Sequence, residues 1–210
     1  MPKSCKSRPG CVDITLPMPA VGQLSERFIR DNIVHAVADV FDETLRRPIS
    51  LRDWAGPWPP RPSAKPATAT PQVVGTVGFL GGARGLVQLY FESALAVDCA
   101  GAMLGMDGPE LESVGDVVVN YAIGELTNMI VGGFKEGLCD AGFPCGLTEA
   151  SVLRGLNFRI DPIVTQHRYI YVFDCAGGRV VADIVISGES TDGPAARKRM
   201  APKGARNKGW

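Results

Sequence analysis

Between Tyr121 and Leu138 the sequence reads YAIGELTNMIVGGFKEGL. Its chemically capable side chains are Glu125 and Asn128, three residues apart among apolar neighbours. On a helix that spacing points both the same way from adjacent turns. A carboxylate there can pair with a partner's cation. An amide beside it offers both a donor and an acceptor. The same stretch accepts Gly124, Gly132 and Gly133, although each glycine costs a helix interior roughly 1 kcal/mol relative to alanine.

Residues 111–141 have the period of one long helix, with Asp140, Gly142 and Pro144 marking its end. On a helical wheel Val119, Ala122, Ile123, Leu126, Ile130, Gly133 and Phe134 form the face expected in the core. Tyr121, Glu125, Asn128, Gly132 and Lys135 form the opposite stripe. Gly132 then leaves room for a partner one turn beyond Asn128. Gly133 lets the sheet or another helix come near. Polar residues on the outer face of an amphipathic helix are also ordinary, so the pattern alone does not establish a site.

Other elements must hold this helix. From Gln23 to Arg46, Leu24, Phe28, Ile33, Val37, Val40, Phe41 and Leu45 recur at helical spacing, with Ser25 as the cap and Glu26 in the first turn. Seven prolines between residues 48 and 71 exclude a helix there. They leave a short edge strand at Ile49–Arg52 and a long loop in which Trp54 and Trp58 either pin it to the body or form a binding surface. VVGTVGFLG and ARGLVQLYF read as a hairpin turning at Gly81, Gly82 and Ala83. SALAVDCAGAMLGMDG reads as a helix ended by glycine, and LTEASVLRG, HRYIYVFDC and RVVADIVIS as three strands, the last two joined by a hairpin. Strands arriving in hairpins make a mainly antiparallel sheet. The expected class is α+β, with long helices packed on the sheet.

The rest of the 210 residues mainly excludes. Net charge is zero, from 22 basic and 22 acidic side chains, which argues against nucleic acid as a partner. No secretory signal opens the chain and no run reaches the length of a membrane span, so a cytoplasmic protein without a membrane partner is expected. The only histidines are His35 and His167, too few for a histidine-based metal or triad site. The six cysteines form no CxxC and read as reduced, structural thiols. Cys139 and Cys145 have no neighbouring His or basic cluster in sequence that would activate them. No dinucleotide or P-loop glycine motif occurs in a strand-to-helix setting.

The segment GELTNMIVGGFKEGL resembles the signature helix of the CheC/CheX/FliY family of chemotaxis phosphatases, with Glu125 and Asn128 on its E-x-x-N motif. The likeness is greatest to CheX and runs over about residues 22–187, taking in the first helix, the hairpin, AMLGMD and VLRG. It implies a domain over 22–188, carrying a Pro-rich insertion at about 53–71, between flexible tails at 1–21 and 189–210. The implied activity is hydrolysis of the aspartyl phosphate of a CheY-type response regulator, with Glu125 and Asn128 catalytic and Tyr121, Gly132 and Lys135 contacting the partner. The chain itself would bind no metal, Mg²⁺ residing on the receiver domain, and a homodimer is implied. Tyr121 stands where the family often has Asp or Ser, and Glu149-Ala150-Ser151 stands where a proline usually follows. A non-catalytic adaptor that docks a receiver or a flagellar switch component is the alternative.

Overall fold

The computed structural model describes residues 24–52, 71–156 and 166–187, leaving outside it both tails, Trp54 and Trp58, and all of the Pro-rich segment except Pro71. The elements, in order, are α1 (Glu26–Glu43), β1 (Ile49–Arg52), β2 (Pro71–Gly81), β3 (Gly85–Glu92), α2 (Ser93–Leu104), α3 (Gly108–Asp140), β4 (Cys145–Leu147), β5 (Ser151–Leu156), β6 (Gln166–Cys175) and β7 (Gly178–Ser187). The expected α+β architecture is present. The seven strands form one sheet in the order β1-β6-β7-β3-β2, with β4 and β5 both on the outer side of β2. Each pairing is antiparallel.

Both expected hairpins form. β2 and β3 run in register from Gln72↔Glu92 to Phe79↔Gly85, and β6 and β7 from Gln166↔Ser187 to Cys175↔Gly178. The edge strand Ile49–Arg52 pairs with β6. The expected single strand at LTEASVLRG is instead two. β4 takes the Phe79–Gly81 end of β2 and β5 the Pro71–Thr76 end. The break falls where Thr148 turns its hydroxyl to the sheet and accepts from the Gly78 N–H at 2.9 Å. Four strands therefore follow α3, not three.

The helices cover one face of the sheet. α1 starts as its sequence predicts: Ser25 is the N-cap and accepts from the Phe28 N–H at 3.1 Å. Gly105 ends α2 in the left-handed conformation. α3 begins before the expected residue 111, because Asp107 and Glu110 form a reciprocal capping box. It also kinks at Gly115, whose φ of 73° a side chain would disfavour. Ile33, Val37 and Phe41 of α1, Leu95 and Ala96 of α2, and Ile123, Ile130 and Phe134 of α3 meet Val73, Val77, Phe79 and Phe91 of the sheet in the main core. The opposite face carries a smaller cluster of Val74, Tyr90, Val172 and Val181. Beside it Asp183 is fully buried and receives both arms of Arg168, at 2.9 and 2.5 Å.

Candidate functional site on helix α3

Three sides of α3 are used for packing, and they leave the fourth rigid and open. Toward the sheet, Thr127 is fully buried, donates its hydroxyl to the Ile123 carbonyl at 2.7 Å, and sits directly on Gly75 of β2. A methyl on Gly75 would overlap the Thr127 hydroxyl. Toward α1, a Cβ built on Gly133 would lie 3.3 Å from that of Ala36. One turn on, the Asn32 side chain lies over Gly137 and donates to the Phe134 carbonyl at 2.7 Å. Phe134 in turn meets Phe79 edge-on, with ring centroids 6.0 Å apart. Gly133 thus lets α1 approach, as its position on the wheel predicts. Gly124 faces Val152 and Ala150 at ordinary contact distance.

The wheel places the core face correctly: Val119, Ala122, Ile123, Leu126, Ile130 and Phe134 are all buried. It does not single out Thr127 and Val131, which are fully buried as well. Thr127 faces β2, so burial wraps further round the helix than one apolar stripe implies.

The remaining stripe holds the sequence-predicted site residues together on one side. Tyr121 is 66% exposed. Asn128 is exposed, whereas Glu125, Gly132 and Lys135 are half-buried. Nothing lies within 4 Å of where a Gly132 side chain would begin, so the backbone there is open to an approaching surface. Glu125 and Asn128 are separated by about 4.5 Å along the axis, from a helical rise of about 1.5 Å per residue. The stripe presents, in order, an aromatic ring, a carboxylate, an amide, a bare backbone turn and an ammonium group. This is an open stripe on a helix surface rather than a pocket. An amide can orient a small molecule there only once a partner closes over it.

One further support lies outside the sequence reading. Arg154 on β5 donates from Nε to Asn120 Oδ1 at 2.5 Å and pairs with Asp116 at 2.9 Å. It clamps the edge strand to the first turns of α3 beyond the Gly115 kink. Asp116 and Asn120 at i and i+4 are the available signal, but polar pairs of that spacing are common on exposed helices. Among the described residues no three His, Cys, Asp or Glu side chains gather to hold a metal ion. The segment Gly115–Asp140 is apolar and long enough to cross a membrane by composition, but half of its most apolar window is buried inside the domain, as in a core helix.

Comparison with known proteins bears on the same helix. The family model described as chemotaxis phosphatase CheX matches residues 73–174, from β2 to the end of β6. This segment is thus similar to the chemotaxis phosphatase CheX family, in line with the resemblance of its signature helix. The matched span contains the whole of α3, and with it Glu125 and Asn128. Among solved structures, chemotaxis protein CheX from Vibrio vulnificus superposes with a TM-score of 0.61 at 22% identity, over 76% of this chain and 96% of that one. CheX in a complex with CheY, BeF3 and Mg2+ from Borrelia burgdorferi gives 0.55 at 19% identity, over 75% and 97%. FliY from Thermotoga maritima gives 0.52 at 20% identity, over 79% and 92%. At these identities the likeness is one of fold. No curated protein sequence matches the chain.

Proposed function

We propose that this chain is a CheX-type phosphatase that hydrolyses the aspartyl phosphate of a CheY-type receiver domain in chemotaxis or two-component signalling. The observation that carries the reading is the placement of the E-x-x-N pair. Asn128 is exposed and Glu125 half-buried on a stripe whose other sides are fixed by α1, β2 and β5. The partner class is supported by the CheX–CheY complex among the structures sharing the fold.

An aspartyl phosphate is an activated acyl phosphate, so no nucleophile from this chain is needed. Phosphoryl transfer is accelerated mainly by positioning and charge stabilisation. The Asn128 amide holds a water in line with the phosphorus–oxygen bond to the aspartyl carboxylate. The water's oxygen bonds to phosphorus, the aspartate leaves as a carboxylate, and inorganic phosphate departs. Glu125 pairs with a lysine beside the receiver's phosphate and fixes the docked orientation. Mg²⁺, held by receiver carboxylates and phosphate oxygens, supplies charge neutralisation from the partner's side. Gly132 admits the receiver's backbone, with Tyr121 and Lys135 bounding the contact. The protein acts in the cytoplasm and as a homodimer on this reading, the latter resting on family resemblance.

Phosphate release from Mg²⁺-loaded receivers charged with acetyl phosphate tests the proposal. Asn128→Ala should slow hydrolysis by at least about tenfold, near 1.4 kcal/mol of barrier, with docking retained. Glu125→Ala should weaken docking as well as rate. If both variants match the wild type on a receiver that the wild type dephosphorylates, the site is elsewhere. Tyr121, exposed where the family often carries Asp or Ser, favours a second reading as a receiver-binding adaptor. Tight binding of phosphorylated receivers without faster phosphate loss would establish it, with Tyr121→Asp then the variant to test for restored activity.

A further inference from the structure

The helices roof one face of the sheet, yet the other face is closed as well. Val74, Tyr90, Val181 and Val172 stand opposite one another in a single row across β2, β3, β7 and β6. Val74 is fully buried and the other three nearly so. Two residues along each strand, on the same face, Gln88 and Asp183 are buried and the Thr76 hydroxyl oxygen beside them is out of reach of solvent. Neighbouring strands flank a side chain but do not roof it, so a second layer must lie over this row. The three helices pack in the main core on the first face and do not supply it.

We propose that residues 157–165 of this chain form that layer, crossing the second face of the sheet with Phe158 and Ile160 resting on Val74 and Tyr90. Strand order carries the argument. β5 and β6 are linked through β2, β3 and β7 by four antiparallel pairings, and so run the same way. A return to a parallel strand needs a crossover connection. Leu156 lies three residues beyond Leu153, the partner of Val74, and Gln166 lies six residues before Val172. The two ends are therefore nine rows apart lengthwise, about 30 Å, and four strand spacings apart sideways, about 19 Å. On a flat sheet the separation is about 35 Å, and twist shortens it. Ten steps of backbone reach about 33–36 Å, which leaves no length for a detour around the end of the sheet. Hand then selects the face. α2 and α3 carry the chain from β3 to β4, two strands parallel to β5 and β6, by a step toward the β2 side over the first face. The step from β5 to β6 goes the opposite way, so a crossover of the same hand lies on the second face. Its sequence is NFRIDPIVT, in which Phe158 and Ile160 alternate with Arg159 and Asp161 as in an extended segment with one apolar side. The diagonal passes over β2 within about one row of Val74 after a quarter of its course, where these two residues fall. The Pro-rich residues 53–70 are long enough to go round the sheet and are not required on this face.

The proposal rests on topology and burial and not on the phosphatase reading. Its test is urea unfolding of the full chain in double-mutant cycles. Phe158→Ala and Ile160→Ala should each lower the folding equilibrium constant by at least about tenfold, as large-to-small changes in a core do. Arg159→Ala and Asp161→Ala should leave it within about twofold, as on a surface. Combined with Val74→Ala, the Phe158 or Ile160 loss should fall short of the product of the single losses by at least about threefold, because contacting residues are not independent. Phe158→Leu and Ile160→Val give the same cycle where an alanine variant does not fold. Unchanged stability in Phe158→Ala and Ile160→Ala, or losses that multiply in full with Val74→Ala, would overturn the proposal. Coupling of Val74→Ala to Trp54→Ala or Trp58→Ala in place of Phe158 and Ile160 would refute it and give the face to the Pro-rich segment. A urea midpoint that rises with protein concentration, with no coupling to residues 157–165, would refute it in favour of a second copy of the chain.

Discussion

Gly132, Gly133 and Gly137 lie within two turns of α3, yet replacing each by alanine should have a different outcome. Alanine gains roughly 1 kcal/mol over glycine in a helix interior. At Gly132 no atom lies within 4 Å of the added methyl, so the whole gain should appear, about 1 kcal/mol of added stability. At Gly133 the methyl would meet Ala36 Cβ at 3.3 Å. α1 must then move by a few tenths of an ångström, and the packing loss should cancel the gain to about zero. At Gly137 the methyl would overlap the Asn32 carboxamide, which must swing away and give up its 2.7 Å bond to the Phe134 carbonyl. Leaving the part-buried Asn32 carboxamide without this partner costs about 1–3 kcal/mol, so the variant should be less stable by about 1 kcal/mol overall. Urea unfolding followed by circular dichroism reads the series as shifts of midpoint at constant slope. Equal shifts at all three positions would mean that propensity alone decides and that α1 does not press on this face. A destabilised Gly132→Ala would mean that the stripe is covered in the isolated protein. Gly132→Leu extends the test to function: stability should hold, while receiver docking should fall by at least about tenfold, about 1.4 kcal/mol. Undiminished docking would remove Gly132 from the interface.

Arg154→Ala should cost about 1–2 kcal/mol by freeing β5 from Asp116 and Asn120, and should raise hydrogen exchange in the first turns of α3 beyond Gly115 more than in the last. Asp183→Ala removes a fully buried carboxylate from a guanidinium that is only 21% exposed; a loss of about 3–5 kcal/mol is expected in thermal or urea unfolding. Tyr90, pushed up to about 12 by burial first and Asp183 second, keeps its proton in the folded state above pH 10, where the unfolded chain releases it. Its contribution is complete below pH 10 and is lost as pH rises toward 12, so urea midpoints should fall across that window, and less steeply in Tyr90→Phe.

The fold and the position of the candidate site were legible in the sequence for physical reasons that also define what was missed. Helical and strand periods are local. They give α1 with its Ser25 cap, the two hairpins, and the stripe of Tyr121, Glu125, Asn128, Gly132 and Lys135. The division of LTEASVLRG is not local. It depends on β2 being 11 residues long, enough to pair with β4 at one end and β5 at the other. The Gly115 kink is a single φ among residues that otherwise continue the helical pattern. Thr127 reads as an indifferent helix residue until Gly75, 52 positions earlier, is found beneath it.

These misses share a cause that bears on function. An exposed amide positions a water well only if its backbone does not move when a partner arrives. A single buried stripe would leave α3 free to roll on the sheet and carry Asn128 with it. The long-range contacts invisible in the sequence oppose that motion. Thr127 on Gly75 fixes the helix against β2, Asn32 and Ala36 fix it against α1, and Arg154 fixes it against the edge strand. Rolling the helix toward β2 would drive Thr127 into the Gly75 backbone, which leaves no room even for a methyl beside it. The polar residues of the stripe are free of structural duty because the other sides of the same helix are fully committed. Preorganisation of this kind lowers the cost of ordering the site when docking occurs. Under the proposed function it makes Thr127 a positioning residue, acting through the helix that carries Asn128. Thr127→Val keeps the volume but loses the 2.7 Å bond to the Ile123 carbonyl. It should leave docking nearly intact while reducing the rate of phosphate release, whereas an equal loss in both would mean that the helix as a whole had shifted.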